Sequence, residues 1–265
     1  MKPVFLVIGA GAGIGGTTAK KFAREGYHSV LCRRSDGSGL DKLVKEIEAE
    51  GGDASGFLLN AVEPDSIEDT INKIEADIGP VEVVLYNLGA QIGNRALHDT
   101  PLKTFELGWR MGTFGLYRVA AVLCPKMVER GKGTILVTSA TAAVRGNAGQ
   151  HSHAAAMGGR RMLCQTLNAE FSSQGVHIAH ILVDGAVDAP DTLGKMLGPE
   201  KFQALRERQG LENDGLILPE KVAEAYYFVA QQHRSTWTFE LDLRAHSDLP
   251  WWNNETPIVA AVKTE

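Results

Sequence analysis

Short, fully apolar runs alternate along the chain with longer stretches whose apolar positions recur every three or four residues. "VFLVIG" (4–9) is apolar throughout, as a central parallel strand must be when both of its faces are covered. The spacing predicts a helix over about 13–25 that stops at Gly26, where a glycine closes a helix well. "HSVLC" (28–32) reads as the next strand, and "LDKLVKEIEAE" as a charged helix ending at Gly51-Gly52. The rhythm continues with a strand near 56–59, a helix near 64–78 and the strand "VEVVLYN" (81–87). A long helical region follows within about 102–130, then "TILVTS" (134–139), a helix around 152–173 and "VHIAHILV" (176–183). A short helical stretch near 200–209 and a helix near 219–232 lead to a last strand, "TFELDL" (238–243).

Strands separated by helix-length segments require crossover connections, which are right-handed and place helices on both faces of a parallel sheet. The expected architecture is therefore α/β, a doubly wound sheet of about seven parallel strands. No stretch has the composition of a linker, so residues 1–265 are read as a single domain. Residues 184–218 form the one long irregular connection, and such connections in α/β domains commonly carry substrate loops. The tail 244–265 is also irregular. Its Trp251 and Trp252 are expected to pack, on this chain or on a neighbouring subunit.

Composition narrows the possibilities. The chain has 265 residues, 44% hydrophobic and 22% charged, enough to bury a sizeable core. A net charge of −5 argues against nucleic acid or an anionic membrane as the main partner. No apolar run is long enough to span a bilayer, and neither "MKPVFLVIGAG" nor "VKTE" reads as a targeting signal, so a cytoplasmic protein is expected. Cys32, Cys124 and Cys164 are scattered without CxxC spacing, which implies reduced packing residues and no metal site.

The chemistry begins at "IGAGAGIGG", between the first strand and the first helix. Two glycine registers fit, Gly11-Gly13-Gly16 as G-x-G-x-x-G and Gly9-Gly13-Gly15 as G-x-x-x-G-x-G. Glycines there allow a tight turn and bring bare backbone amides, with Ile14 opening the helix, against a dinucleotide's pyrophosphate at the helix's positive end. Roughly 20 residues further on, NAD-binding sites carry an acid for the ribose 2′-hydroxyl. This chain has Arg33 and Arg34 at that point, two guanidiniums suited to a 2′-phosphate, so the expected cofactor is NADP(H).

The Gly9-Gly13-Gly15 register, followed by "YNLGA" after the fourth strand, resembles the short-chain dehydrogenase/reductase superfamily over about residues 3–245. The resemblance implies a Rossmann-type fold and a homo-oligomer, dimer or tetramer. Ile8 stands where that family usually has threonine. The family's acidic adenine contact falls on Asn60, beside Ala61. Its Asn-Asn-Ala-Gly motif falls on Tyr86-Asn87-Leu88-Gly89, retaining Asn87 and Gly89. Its "PG" after the sixth strand falls on Asp184-Gly185, with Val187 placed to meet the nicotinamide amide.

The catalytic pattern departs from the family. The resemblance implies an asparagine, a serine, a tyrosine and a lysine, the lysine's charge lowering the phenol's pKa. Counting back from Glu170 puts His153 at the tyrosine and Met157 at the lysine, while Gly112 stands for the asparagine. Ser139 is the serine in reach, fourteen positions before His153, although the usual spacing is one shorter and selects Ala140. Met157 lies one helical turn from His153 and supplies no charge. An imidazole needs none, because its ordinary pKa near 6.5 already suits general-acid work. A reaction driven by His153 is expected to slow as pH rises through about 6 to 7.

Two readings of His153 stand: the proton donor, or a polar helix residue with a structural part only. His151 reads as a surface or capping residue. Asp184 and Asp188 are substitute donors if their carboxyls stay protonated, and otherwise solvated loop acids. Arg145 and the pair Arg160-Arg161 can hold an anionic substrate or form surface ion pairs. Gly158 and Gly159 each cost the helix about 1 kcal/mol, which close packing against another helix, across a subunit interface, would explain.

Two functions follow. One is an NADPH-dependent oxidoreductase that reduces a carbonyl or conjugated enone of a small organic substrate. The other keeps the scaffold for a non-redox isomerisation or cyclisation, or for cofactor or partner binding.

Overall fold

The computed structural model describes residues 2–89 and 95–253. Strand β1 (Val4–Ile8) is buried along its whole length, and its pleat sends alternate side chains to opposite layers. Val4, Leu6 and Ile8 join one apolar cluster with Ile67, Ile71, Leu123 and Cys164, while Phe5 and Val7 join another with Ala19, Phe22, Leu43 and Tyr226. Each of the valine, leucine, isoleucine and phenylalanine side chains among them contributes roughly 1.5–3 kcal/mol when fully buried. Phe5 stacks on Phe22 of helix α1 (Ile14–Arg24) at 3.7 Å between ring centroids.

Strands β2 (His28–Arg33), β3 (Asp53–Leu58), β4 (Val81–Tyr86), β5 (Gly133–Ala140), β6 (Val176–Val183) and β7 (Glu240–Leu243) complete one sheet. Its order is β3-β2-β1-β4-β5-β6-β7 and every pairing is parallel. This is the seven-stranded, doubly wound Rossmann-type sheet that the pattern predicts. Helices α2 (Gly37–Ala49) and α3 (Ser66–Asp77) carry the crossovers of the first half. The strand order reverses between β1 and β4, and such reversals open a crevice at the strands' carboxyl ends.

The region expected as one long helix is three pieces: α4 (Leu102–Trp109), a wide π-type turn at Arg110–Phe114, and α5 (Gly115–Arg130). The wide turn leaves backbone carbonyls without helical donors, and side chains satisfy two of them. Tyr86 Oη donates to the Met111 carbonyl and Arg160 Nε to the Gly112 carbonyl at 2.7 Å. A side chain at Gly115 would collide with the Tyr86 hydroxyl at 2.2 Å, which accounts for glycine there.

Helix α6 (His151–Phe171) lies against this turn. A Cβ at Gly159 would meet Thr113 at 3.0 Å, so its close packing is within the chain, whereas Gly158 faces open space. The 184–218 connection is more ordered than the sequence implies. Besides α8 (Pro199–Gln209), the helix expected near 200–209, it holds a wide turn at Pro190–Gly194, a single turn α7 (Lys195–Leu197) and a small core of Phe202, Leu205 and Leu216. Helix α9 (Pro219–Ala230) returns to pack beside α1.

Of the tail, residues 254–265 lie outside the described residues. The Trp251 backbone N–H donates to Asp184 Oδ2 at 2.9 Å, and its carbonyl accepts from Arg145 at 3.0 Å. Trp251 packs edge-on against Trp252, whose exposed ring carries the Arg244 guanidinium. Both tryptophans thus find partners on their own chain. The three cysteines are buried free thiols, pushed up to about 12 by burial, as packing residues should be. Among the described residues no helix is long and apolar enough to cross a membrane.

Candidate active site

The glycine loop is built by contacts that leave no room for side chains. Gly9 adopts φ +101° as the chain leaves β1, and its N–H and that of Ala10 both donate to the Cys32 carbonyl of β2. A Cβ at Gly15 would fall 2.3 Å from the Gly9 carbonyl oxygen, and one at Gly13 3.2 Å from Ala189. Asn87 Nδ2 donates to the Gly9 carbonyl at 3.0 Å, pinning the loop to the end of β4. Gly9, Gly13 and Gly15 are all close-packed, whereas in the other register Gly11 faces open space and only Gly16, whose Cβ would fall 2.6 Å from the Gly11 carbonyl oxygen, adds a tight position. The bare cradle at the start of α1 is the concavity a pyrophosphate fits.

Arg33 and Arg34 follow at the end of β2. Arg33 pairs with Asp36 at 2.9 Å, while Arg34 is exposed. The Asp36 carboxyl also caps α2 through the Gly39 N–H, and that bond, with Arg33 nearby, holds it below the usual carboxylate range. Asn60, beyond β3, is half-buried and donates to Glu63 at 2.8 Å, and Ala61 beside it is buried.

Ile14, Asn87, Gly89 and Val187 then meet His153, Ser139, Ala140 and Met157 around one cavity of about 250 Å³ at the sheet's carboxyl edge. Leu88, Thr138, Arg160, Ala189 and Thr192 complete its lining. His153 and Met157 share the cavity face of α6, one turn apart. Ser139 Oγ lies 4.0 Å from Met157 Sδ, a weak contact. Ala140, the alternative position, lines the same wall and has no hydroxyl to offer.

Other sequence candidates are engaged elsewhere. Asp184 is buried and holds Arg244 at 3.1 Å and the Trp251 N–H, so it is a structural anchor and not a proton donor to the cavity. Asp188 is paired with Arg206 at 3.1 Å. Arg161 makes the surface ion pair, a two-bond fork to Glu240 at 2.6 and 2.9 Å. Arg160 does not: it is 1% exposed and forms part of the cavity wall. Sequence reasoning named Arg160 as a substrate or surface charge and did not place it in the cavity wall, and it missed Ala189 and Thr192, which abut Gly13. A signal existed for Arg160, since it stands three positions after Met157 and seven after His153, on the same helical face.

A family model for short chain dehydrogenases matches residues 3–192. The chain belongs to that family. It is 28% identical over 236 residues to the 3-oxoacyl-acyl-carrier-protein reductase of Thermotoga maritima, covering 88% of this chain and 92% of that protein. A solved short-chain dehydrogenase from Rhodopseudomonas palustris superposes with a TM-score of 0.75 at 31% identity, covering 91% of this chain and 98% of that one. Another, from Sphingobium yanoikuyae and in complex with NADPH, does so with a TM-score of 0.73 at 20% identity, covering 91% and 87%, a likeness of fold. As a short chain dehydrogenase the chain is an oxidoreductase by family. Its cavity holds an imidazole and a thioether where the resemblance implies a phenol and an ammonium.

Proposed function

We propose that this short chain dehydrogenase is an NADPH-dependent reductase of a carbonyl or conjugated enone on a small organic substrate. One observation carries this reading: residues assigned to the cofactor and residues assigned to proton transfer line a single cavity. Backbone amides at Gly13, Ile14 and Gly15 would hold the pyrophosphate, with Gly9 shaping the turn that presents them, and Asn60 with Ala61 would hold the adenine. Arg33 and Arg34 would take a 2′-phosphate, Arg33 exchanging its exposed partner Asp36 for it. Asn87, Gly89 and Val187 would position the nicotinamide. The bound coenzyme supplies hydride, the step that protein side chains cannot perform. The solved relative in complex with NADPH supports this choice of cofactor.

His153 is the proposed proton donor to the developing oxyanion, and Ser139 the hydroxyl that orients the substrate oxygen. An enone makes the smaller demand on a single placed acid, because hydride arrives at carbon and the enolate can be protonated afterwards. That suits a site without the family's lysine. Stacked aromatics at Trp109, Phe114 and Tyr117 remain 39–54% exposed, which favours burial against a second copy in a homo-oligomer. The net charge of −5 disfavours nucleic acid or an anionic membrane surface as the main partner and leaves a small-molecule substrate as the expected one.

The second reading, a scaffold kept for a non-redox isomerisation or cyclisation or for cofactor or partner binding, is favoured by Ser139 facing the Met157 sulfur. Mixing the purified chain with NADPH and a panel of quinones, diketones and enones separates the two. Loss of absorbance at the nicotinamide band is expected with at least one member of the panel, and His153→Ala should slow reduction of a diketone or quinone carbonyl by about a hundredfold, within the range of a lost general acid, and that of an enone by less. Turnover unchanged by His153→Ala removes the histidine from the mechanism. Tight NADPH binding without oxidation across the panel supports the non-redox reading.

A further inference from the structure

Position 160 is a costly place for a charge. A guanidinium taken out of water needs an opposite charge or a full set of acceptors, and usually both. Arg160 has acceptors only. Its Nε donates to Gly112 O at 2.7 Å, Nη1 to Thr138 O at 2.5 Å and Nη2 to Leu88 O at 2.7 Å. Its plane also sits near the Tyr86 ring, 5.2 Å from the centroid. Among the described residues no carboxylate is paired with it: Glu240 is bound to Arg161, Asp184 to Arg244 and Asp188 to Arg206. Burial accordingly lowers the Arg160 pKa, with no carboxylate opposing the effect.

The three carbonyls belong to the end of β4, the end of β5 and the wide turn, the segments that converge on the cavity. Arg160 is the one permanent charge among the described residues that line it. Carbonyl dipoles accept from three of its five N–H groups and leave its net charge in place.

We infer that Arg160 sets the redox preference of this pocket: its unneutralised charge favours a neutral nicotinamide ring over a cationic one. The inference rests on the reading that the nicotinamide end of the coenzyme enters this cavity. Reduced and oxidised coenzymes differ there by one positive charge on the ring. Any ring in a cavity of about 250 Å³ lies within roughly 10 Å of the lining, where at an effective dielectric of about 20 two unit charges shift an equilibrium by about tenfold. The chain therefore holds NADPH more tightly than NADP+, which directs the chemistry toward reduction. Met157 contributes nothing to this bias, so the charge missing from its position is supplied one turn further along the same face.

The test measures dissociation constants for NADPH and NADP+ by calorimetry on the wild type and Arg160→Gln. The wild type should prefer NADPH by about tenfold. Glutamine, which keeps a donor but no charge, should bring the ratio close to one. Damage to the scaffold alone would weaken both forms together and leave the ratio alone. A wild-type ratio near one overturns the inference without any variant, as does an Arg160→Gln ratio equal to wild type. Absence of binding by either coenzyme instead overturns the cofactor reading, and this inference with it.

Discussion

Gly15→Ala weakens coenzyme binding by about a hundredfold, the equivalent of two or three lost amide contacts. The added Cβ would lie 2.3 Å from the Gly9 carbonyl oxygen, 3.0 Å from Asn87 Nδ2 and 3.1 Å from Ala10 Cα. Two of these neighbours are backbone of the turn itself, so relief requires α1 to move away from the loop. That movement spreads the amides and strains the Asn87–Gly9 hydrogen bond that ties the loop to β4. Overpacking of this kind costs about 1–3 kcal/mol of stability. The check is a calorimetric titration with NADPH beside a urea unfolding curve. Gly11→Ala is the control, because its Cβ would meet nothing within 4 Å and should leave stability close to wild type. Wild-type affinity in Gly15→Ala would mean that the coenzyme does not use this turn.

Stability falls steeply in mild acid, by about 3 kcal/mol between pH 6.5 and 4, through His180. This side chain is fully buried on β6, and burial lowers its pKa from 6.5 to about 4. Glu240 on β7, 3.1 Å from Nδ1, opposes that shift, while Arg160 and Arg161 on α6 add to it. The unfolded chain takes up the proton near pH 6.5 and the folded chain only near 4. Stability is therefore complete above the unfolded value and drains away as pH falls toward the folded one, at about 1.4 kcal/mol per pH unit. His177, also lowered by burial, adds to the loss in the same direction. Urea unfolding at pH 7.0, 5.5 and 4.5 measures the slope, and His180→Gln should flatten it by most of one proton's worth. Parallel wild-type and variant slopes would assign the acid sensitivity elsewhere.

The sequence carries the sheet and the cradle well, for local reasons. β1 is a continuous apolar run and β4 is one apart from Glu82, because both faces are covered, and the loop's glycines follow β1 directly. β3 is placed about three residues late, since "DASGFL" is half-exposed and has few apolar residues to announce it. The wide turn at Arg110–Phe114 hides inside an unbroken helical pattern, with Gly112 and Gly115 as its only local marks. Arg160 reads as a surface charge because most arginines are. Its burial depends on carbonyls at positions 88, 112 and 138, which only the fold brings together. Ser139 is legible by position but not by direction, because which way its hydroxyl points depends on Met157 across the groove.

Calorimetric titration of NADPH and NADH into the wild type and Arg33→Ala tests the central claim, a phosphorylated dinucleotide held at the head of α1. The account predicts saturable one-site binding with NADPH preferred by about tenfold, and loss of most of that preference in Arg33→Ala, the value of one charge-assisted contact. No saturable heat from either coenzyme would contradict it.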